Sequence, residues 1–189
     1  MIFVTVGNSI KGVEFHRLIK EMDGIARDLN EDVVAQIGTI EDPPRHIQSF
    51  GYLNYVEILE YFKRASMIVG HCGVGTVIQA LTYGKPIILV PRSKTYGEHI
   101  DDHQAELANK LRGREGIFVV DQMGQLRDTI LEVKHLVEEK GLKPCFSDER
   151  KRLLAFLQDY LRGVKRTRVR EVQTMNGGRM KNEDSNHRQ

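Results

Sequence analysis

Short apolar runs recur along this chain, most of them followed by a stretch patterned as a helix. The runs are IFVTV (Ile2–Val6), VVAQI (Val33–Ile37), MIVG (Met67–Gly70), IILV (Ile87–Val90) and IFVV (Ile117–Val120). Four or five consecutive apolar residues are of strand length, and an unbroken run implies burial on both faces. Between the runs, Phe15, Leu18, Ile19, Met22 and Ile25 recur at helical spacing. Asn54 stands as N-cap before Val56, Ile58, Leu59 and Phe62. Further helices are expected from Thr76 to Tyr83, stopped by Gly84, and from His99 or Asp101 to Leu111. Asp121 is expected to cap a long helix ending near Glu139, and Ile47–Phe50 reads as one more short strand. Strands separated by helices pair in parallel, because the chain must cross back before each new strand. The expected fold is α/β, a doubly wound, Rossmann-like parallel sheet that binds ligands outside the carboxyl ends of its strands.

A chain of 189 residues with 40% hydrophobic content and a formal charge of +2 fits one globular domain with an appendage. So balanced a charge gives no global signature of nucleic-acid binding. The first apolar run is broken by Gly7 and Asn8 and is too short for a signal peptide, and no run reaches membrane-spanning length. The expectation is a cytoplasmic protein. Cys72 and Cys145, distant in sequence, read as free thiols. Ser147 opens a last amphipathic segment carrying Leu153, Leu154, Phe156, Leu157, Tyr160 and Leu161, followed by Arg162, Lys165, Arg166, Arg168 and Arg170. From Thr174 the chain is polar without a core-forming pattern, and disorder is expected there.

One stretch carries chemistry: GHCGVGTVIQALTYGKPIILVP, Gly70 to Pro91. A strand, a Gly-rich turn and a helix start together make an anion site, since unpaired N–H groups and the helix dipole both favour negative charge. No Gly-Lys-Ser/Thr follows, so this is not a P-loop, and the third glycine of the dinucleotide fingerprint is missing. A tight turn with no ligand fits the same residues. A second small-residue loop, GNS (Gly7–Ser9), follows the first strand and would emerge on the same sheet edge. Two such loops facing one crevice suit a pyrophosphate better than either alone.

These stretches resemble a known family. MIFVTVGNS, FHRLIKEMD (Phe15–Asp23), VVAQIG (Val33–Gly38), GHCGVGTVIQALTYGKPIILVPR (Gly70–Arg92) and YGEHIDDHQAELANKL (Tyr96–Leu111) are similar to the C-terminal, nucleotide-sugar-binding half of GT-B glycosyltransferases of the family 28 type. The likeness is greatest to the small subunit of split enzymes that assemble dolichol-linked glycans or bacterial exopolysaccharides. The resemblance implies a nucleotide-sugar-binding domain, bounded here at residues 1–146, and the residue pattern adds an amphipathic basic helix over 147–173 and a disordered tail over 174–189. It implies that Gly7, Asn8 and Ser9, with Gly73, Val74, Gly75 and Thr76, hold the diphosphate of a UDP-sugar. His71 falls where relatives place a phosphate-contacting histidine, and so becomes the candidate for stabilising the leaving group. Backbone around Phe50 and Gly51 would read uracil, and Asp102, His103 and Gln104 would contact the donor sugar. Gln79 stands where most relatives carry a ribose-binding Glu, a departure that removes one of two acceptors.

Other residues carry plainer alternatives. Cys72 reads as a packing residue. His99 and His103 have the i, i+4 spacing of a zinc pair, but no third ligand is evident, and donor contact or a polar helix start accounts for them. Arg92 and Lys94 read as a solvated loop rather than as groups facing the pyrophosphate. No Asp-x-Asp motif is present, so neither a metal nor a cofactor is expected. The resemblance implies inverting transfer of a hexose-type sugar, with donors aimed at the charge that develops on the departing diphosphate. The chain is too short for both halves of a GT-B enzyme. A membrane-bound partner subunit presenting a lipid-diphosphate-linked sugar acceptor is therefore expected, with the last helix as docking element and the complex at the cytoplasmic membrane face. The alternative is a non-catalytic subunit that binds a nucleotide sugar or stabilises its partner.

Overall fold

A computed structural model describes residues 1–8, 12–140 and 151–162. Its centre is a parallel sheet of strands β1 (Ile2–Thr5), β2 (Val33–Gln36), β3 (Gln48–Phe50), β4 (Met67–His71), β5 (Ile87–Val90) and β6 (Ile117–Val119). Their order is β3-β2-β1-β4-β5-β6. The chain winds outward from β1 in one direction, then returns to the other side of β1 at β4. Every pair is parallel, with Thr5 opposite Gln36 on one side and Gly70 on the other. The strands β1, β2 and β5 are buried at each position, and the two polar members, Thr5 and Gln36, bond each other at 2.7 Å.

Helices α1 (His16–Ala26), α2 (Tyr55–Arg64), α3 (Val74–Thr82), α4 (His103–Leu111) and α5 (Leu126–Lys140) connect and cover the strands. Leu18, Ile19, Met22 and Ile25 of α1 and Leu126, Ile130 and Val133 of α5 share a core with Ile2, Val4, Met67, Val69 and Ile88. On the other face, Phe3 stacks on Tyr61 and meets Phe62 edge-on, with centroids 5.4 and 5.3 Å apart. Asn54 caps α2 through a complete capping box: its side chain accepts from the Glu57 amide, and Glu57 accepts from the Asn54 amide. Gly84 ends α3 at a φ of 66°, a left-handed conformation that glycine adopts without strain.

Three boundaries differ from expectation. The helix α3 opens at Val74, two residues before Thr76, because Gly73 already accepts from the Val77 amide. The helix α4 begins only at His103, since Asp101 is drawn into side-chain contacts with His99 and His103. Asp121 does not cap α5. It pairs with Arg112 at 2.7 Å, and a 3₁₀ turn over Met123–Gln125 intervenes.

The chain divides into units 1–150 and 151–189. In the second unit, residues 151–162 are helical, with Phe156 and Tyr160 rings 6.4 Å apart on successive turns. Cys145, the basic run from Lys165 and the stretch from Thr174 lie outside the described residues. Among those described, no helix is long and apolar enough to cross a membrane.

Candidate functional site

The crossover between β1 and β4 is a topological switch point, and a cleft of about 550 Å³ opens there at the carboxyl ends of the strands. Its walls come from the ends of β1 and β2 (Thr5, Gly7, Asn8, Gln36), the approach to α2 (Tyr52, Leu53, Tyr55), the β4–α3 turn (His71, Gly75, Thr76, Gln79), and Arg92, His99 and Gln104. No aspartate or glutamate lines it among the described residues.

His71 ends β4, and its imidazole is wedged between two loops. A Cβ on Gly7 would lie 2.2 Å from His71 Cε1, and one on Gly73 would lie 2.3 Å from His71 Nε2. These glycines make room for the ring. Gly73 therefore serves His71 first, whereas a Cβ on Gly75 would meet nothing within 4 Å, because Gly75 borders open cleft. The Thr76 hydroxyl stands 3.5 Å from His71 Nδ1, and the Thr5 backbone also bonds the ring. Burial, then the charges of Arg92 and His99, push the imidazole down to about 3, so it is neutral near pH 7. A neutral imidazole donates through one nitrogen only.

Arg92 departs from its sequence reading as a solvated residue: it is 4% exposed. Its guanidinium donates to the Asn8 carbonyl at 3.1 Å and to the Val6 carbonyl, and its Nε has no partner. Burial lowers its pKa, though a guanidinium stays charged. The nearby carboxylate of Glu98 is taken by Arg17, at 2.8 and 2.9 Å.

Gln104 is buried, and its Oε1 accepts from the amides of Cys72 and Arg92, both at 3.1 Å. One amide oxygen thus joins the turns after β4 and β5. Burial pushes the Cys72 thiol up to about 12, which suits packing and not nucleophilic use. Gln79 Nε2 donates to the Tyr55 hydroxyl at 2.9 Å, leaving Gln79 Oε1 as an acceptor and the Tyr55 O–H as a donor.

The cleft thus gathers Gly7, Asn8, His71, Gly75, Thr76, Gln79 and Gln104. Phe50 and Gly51 do not line it: their carbonyls accept from Ile37 and Gly38 and extend the β2–β3 ladder. The side chains that do line that wall are Tyr52, Leu53 and Tyr55. Val74, Asp102 and His103 also stand off the lining, and Ser9 lies outside the described residues. His99 enters the lining instead, its Nδ1 2.8 Å from Asp101, while His103 takes the other carboxylate oxygen at 2.9 Å. Partial burial works against ionisation of Asp101, but the His103 amide and both imidazoles hold its carboxyl below the usual range. Among the described residues, no group of three or more His, Cys, Asp or Glu could hold a metal ion. Arg92 was missed because charge next to Pro91 signals solvent in a sequence, and only the folded loops surround it.

Residues 1–143 match the model of the glycosyltransferase family 28 C-terminal domain. The UDP-N-acetylglucosamine transferase subunit ALG13 of Mus musculus is 27% identical over 61% of this chain, and the chain spans about a tenth of that relative's length, 10%. Among solved structures, Acinetobacter baumannii MurG matches over 83% of this chain and 49% of its own, at 18% identity and a TM-score of 0.53. The spinosyn rhamnosyltransferase SpnG matches over 85% of this chain and 44% of its own, at 15% identity and a TM-score of 0.55. At such identities these structures speak to the fold alone.

Proposed function

Because the chain belongs to the family of the glycosyltransferase family 28 C-terminal domain, we propose that it is the UDP-sugar-binding catalytic subunit of a two-component inverting glycosyltransferase. In this reading it moves a hexose-type sugar onto a lipid-diphosphate-linked acceptor. The observation that carries the reading is the cleft at the switch point: it is free of carboxylates among the described residues, floored by His71 and bounded by buried Arg92 and the start of α3. Such a place favours an anion, since amides, helix dipole and guanidinium all present positive potential there.

The roles assigned here combine the family resemblance with the lining of the cleft. Gly7 and Asn8, with Gly75 and Thr76, line the cleft and receive the diphosphate, and His71 steadies the charge that grows as the glycosidic bond breaks. Tyr52, Leu53 and Tyr55 flank the uridine, with Gln79 at the ribose. The mouse relative's description as a transferase subunit supports both a UDP-linked donor and a partner. The acceptor half, and a base for the acceptor hydroxyl, would come from a membrane-bound partner, placing the complex at the cytoplasmic membrane face. The segment 147–173, helical over its described residues 151–162, is the proposed docking element. Deletion of residues 148–189 should abolish co-purification with that partner, and undiminished recovery would eliminate this role.

The test is a thermal-shift panel of UDP, UDP-sugars and uridine, joined to sugar transfer by the reconstituted pair. UDP-sugars should raise Tm, as any ligand preferring the folded state does, and His71→Ala should abolish transfer. Normal transfer by that variant would refute catalysis here. A second reading, a binding but non-catalytic subunit, is favoured by one observation: Gln79 spends its amide on Tyr55. It predicts donor binding with transfer unaffected by His71→Ala.

A further inference from the structure

Among the described residues Arg92 stands out as a buried charge without a carboxylate hydrogen-bonded to it. It is 4% exposed, yet both of its terminal nitrogens go to main-chain carbonyls, those of Val6 and Asn8, and Nε has none. Carbonyl dipoles solvate a guanidinium but do not neutralise it. The carboxylate whose charge acts on it, Glu98, is 4% exposed and held in a two-point pair by Arg17, with the Ser93 amide on the same carboxylate. Two arginines and one carboxylate leave one positive charge. A buried charge so placed is costly unless something compensates it.

The surroundings say where compensation would come from. Arg92 lines the cleft together with His71, and its charge is one cause of the low His71 pKa, so the two groups are close. The loop it grips, Val6 to Asn8, forms one wall of that cleft. On its other side its main-chain amide is fixed by Gln104 of α4, and its guanidinium lies 5.8 Å from the Phe15 ring centroid. The guanidinium is thus held by the β1 loop and the start of α1, while α4 fixes the main chain that carries it.

We propose that Arg92 is a positioning residue of the site: it fixes the Val6–Asn8 loop and supplies the standing positive charge that a bound diphosphate neutralises. This rests on the reading of the cleft as a nucleoside diphosphate site. Arg92 then separates UDP from uridine, because only the diphosphate answers its charge.

The experiment compares UDP with uridine by calorimetry on the full chain and on Arg92→Met and Arg92→Lys. Charge-assisted interactions of this kind are worth about tenfold or more in affinity. Arg92→Met should weaken UDP by about that factor and leave uridine within about twofold, with Arg92→Lys recovering part of the loss. Equal losses for UDP and uridine, or none for either, would overturn the proposal and make Arg92 a structural strut only. In case Arg92→Met fails to fold, the unaltered chain carries a second readout, the ¹⁵Nε–¹Hε signal of Arg92. UDP should shift it and uridine should not, and a signal indifferent to UDP at saturation overturns the proposal. Should the unaltered chain bind no UDP, the nucleotide reading itself falls, an outcome distinct from retained UDP binding that is blind to Arg92.

Discussion

The imidazole of His71 shows how one side chain dictates its neighbours. Two glycines, on loops more than sixty residues apart in sequence, have no Cβ because the ring occupies that space. Gly73→Ala should therefore displace His71 and cost about 1–3 kcal/mol by overpacking. Gly7→Ala should cost more, because its φ of 67° adds backbone strain. Gly75→Ala meets nothing within 4 Å and sits in the first turn of α3, so it should be neutral or stabilising by up to about 1 kcal/mol. Urea midpoints of the three variants check this, and equal losses at Gly73 and Gly75 would contradict it. His71 also makes a pH prediction. Its pKa falls from 6.5 to about 3 on folding, so between those values the unfolded chain binds a proton that the folded chain does not. Stability should decline as pH falls through that window and be independent of this group above it. His71→Asn should flatten the slope, measured by denaturation between pH 7 and 4.

At the scale of elements, the cleft depends on where helices start. The capping box of α2 sets the chain just before it, and with it Tyr52 and Tyr55 on the cleft wall. Asn54→Ala should cost about 1 kcal/mol, read from the denaturant midpoint. It should also weaken nucleotide binding through the displaced wall, and a stability loss with unchanged UDP affinity would show that wall to be independent of the cap. The strands, the α2 cap and the Gly84 stop were legible in the sequence, because each rests on neighbours within a few residues. The start of α4 and the failure of Asp121 as a cap were not. In both, an aspartate with good capping chemistry is claimed by a partner: Asp101 by two histidines, and Asp121 by Arg112.

At the scale of the molecule, the pair between Arg17 of α1 and Glu98 beside α4 joins residues far apart in sequence. Glu98 is buried, whereas Arg17 keeps some solvent. Glu98→Gln should cost roughly 1–3 kcal/mol, since it leaves an arginine short of its charge partner. A Tm unchanged within error would show the pair to be dispensable. The parallel sheet and its order of elements were legible in the sequence alone, because short apolar runs with intervening helices admit few other arrangements. The Gly-rich turn, His71 and Gln79 could likewise be read there, since a strand, turn and helix start are local. What only the tertiary structure decided was the company each residue keeps. Arg92 was drawn inside, Gln104 was spent on two main-chain amides, His99 was turned into the cleft, and Phe50 and Gly51 were absorbed into the sheet. The reason is physical: hydrogen bonds and burial join groups distant along the chain, and no local pattern of residue types records which carbonyl or carboxylate will stand opposite a given charge.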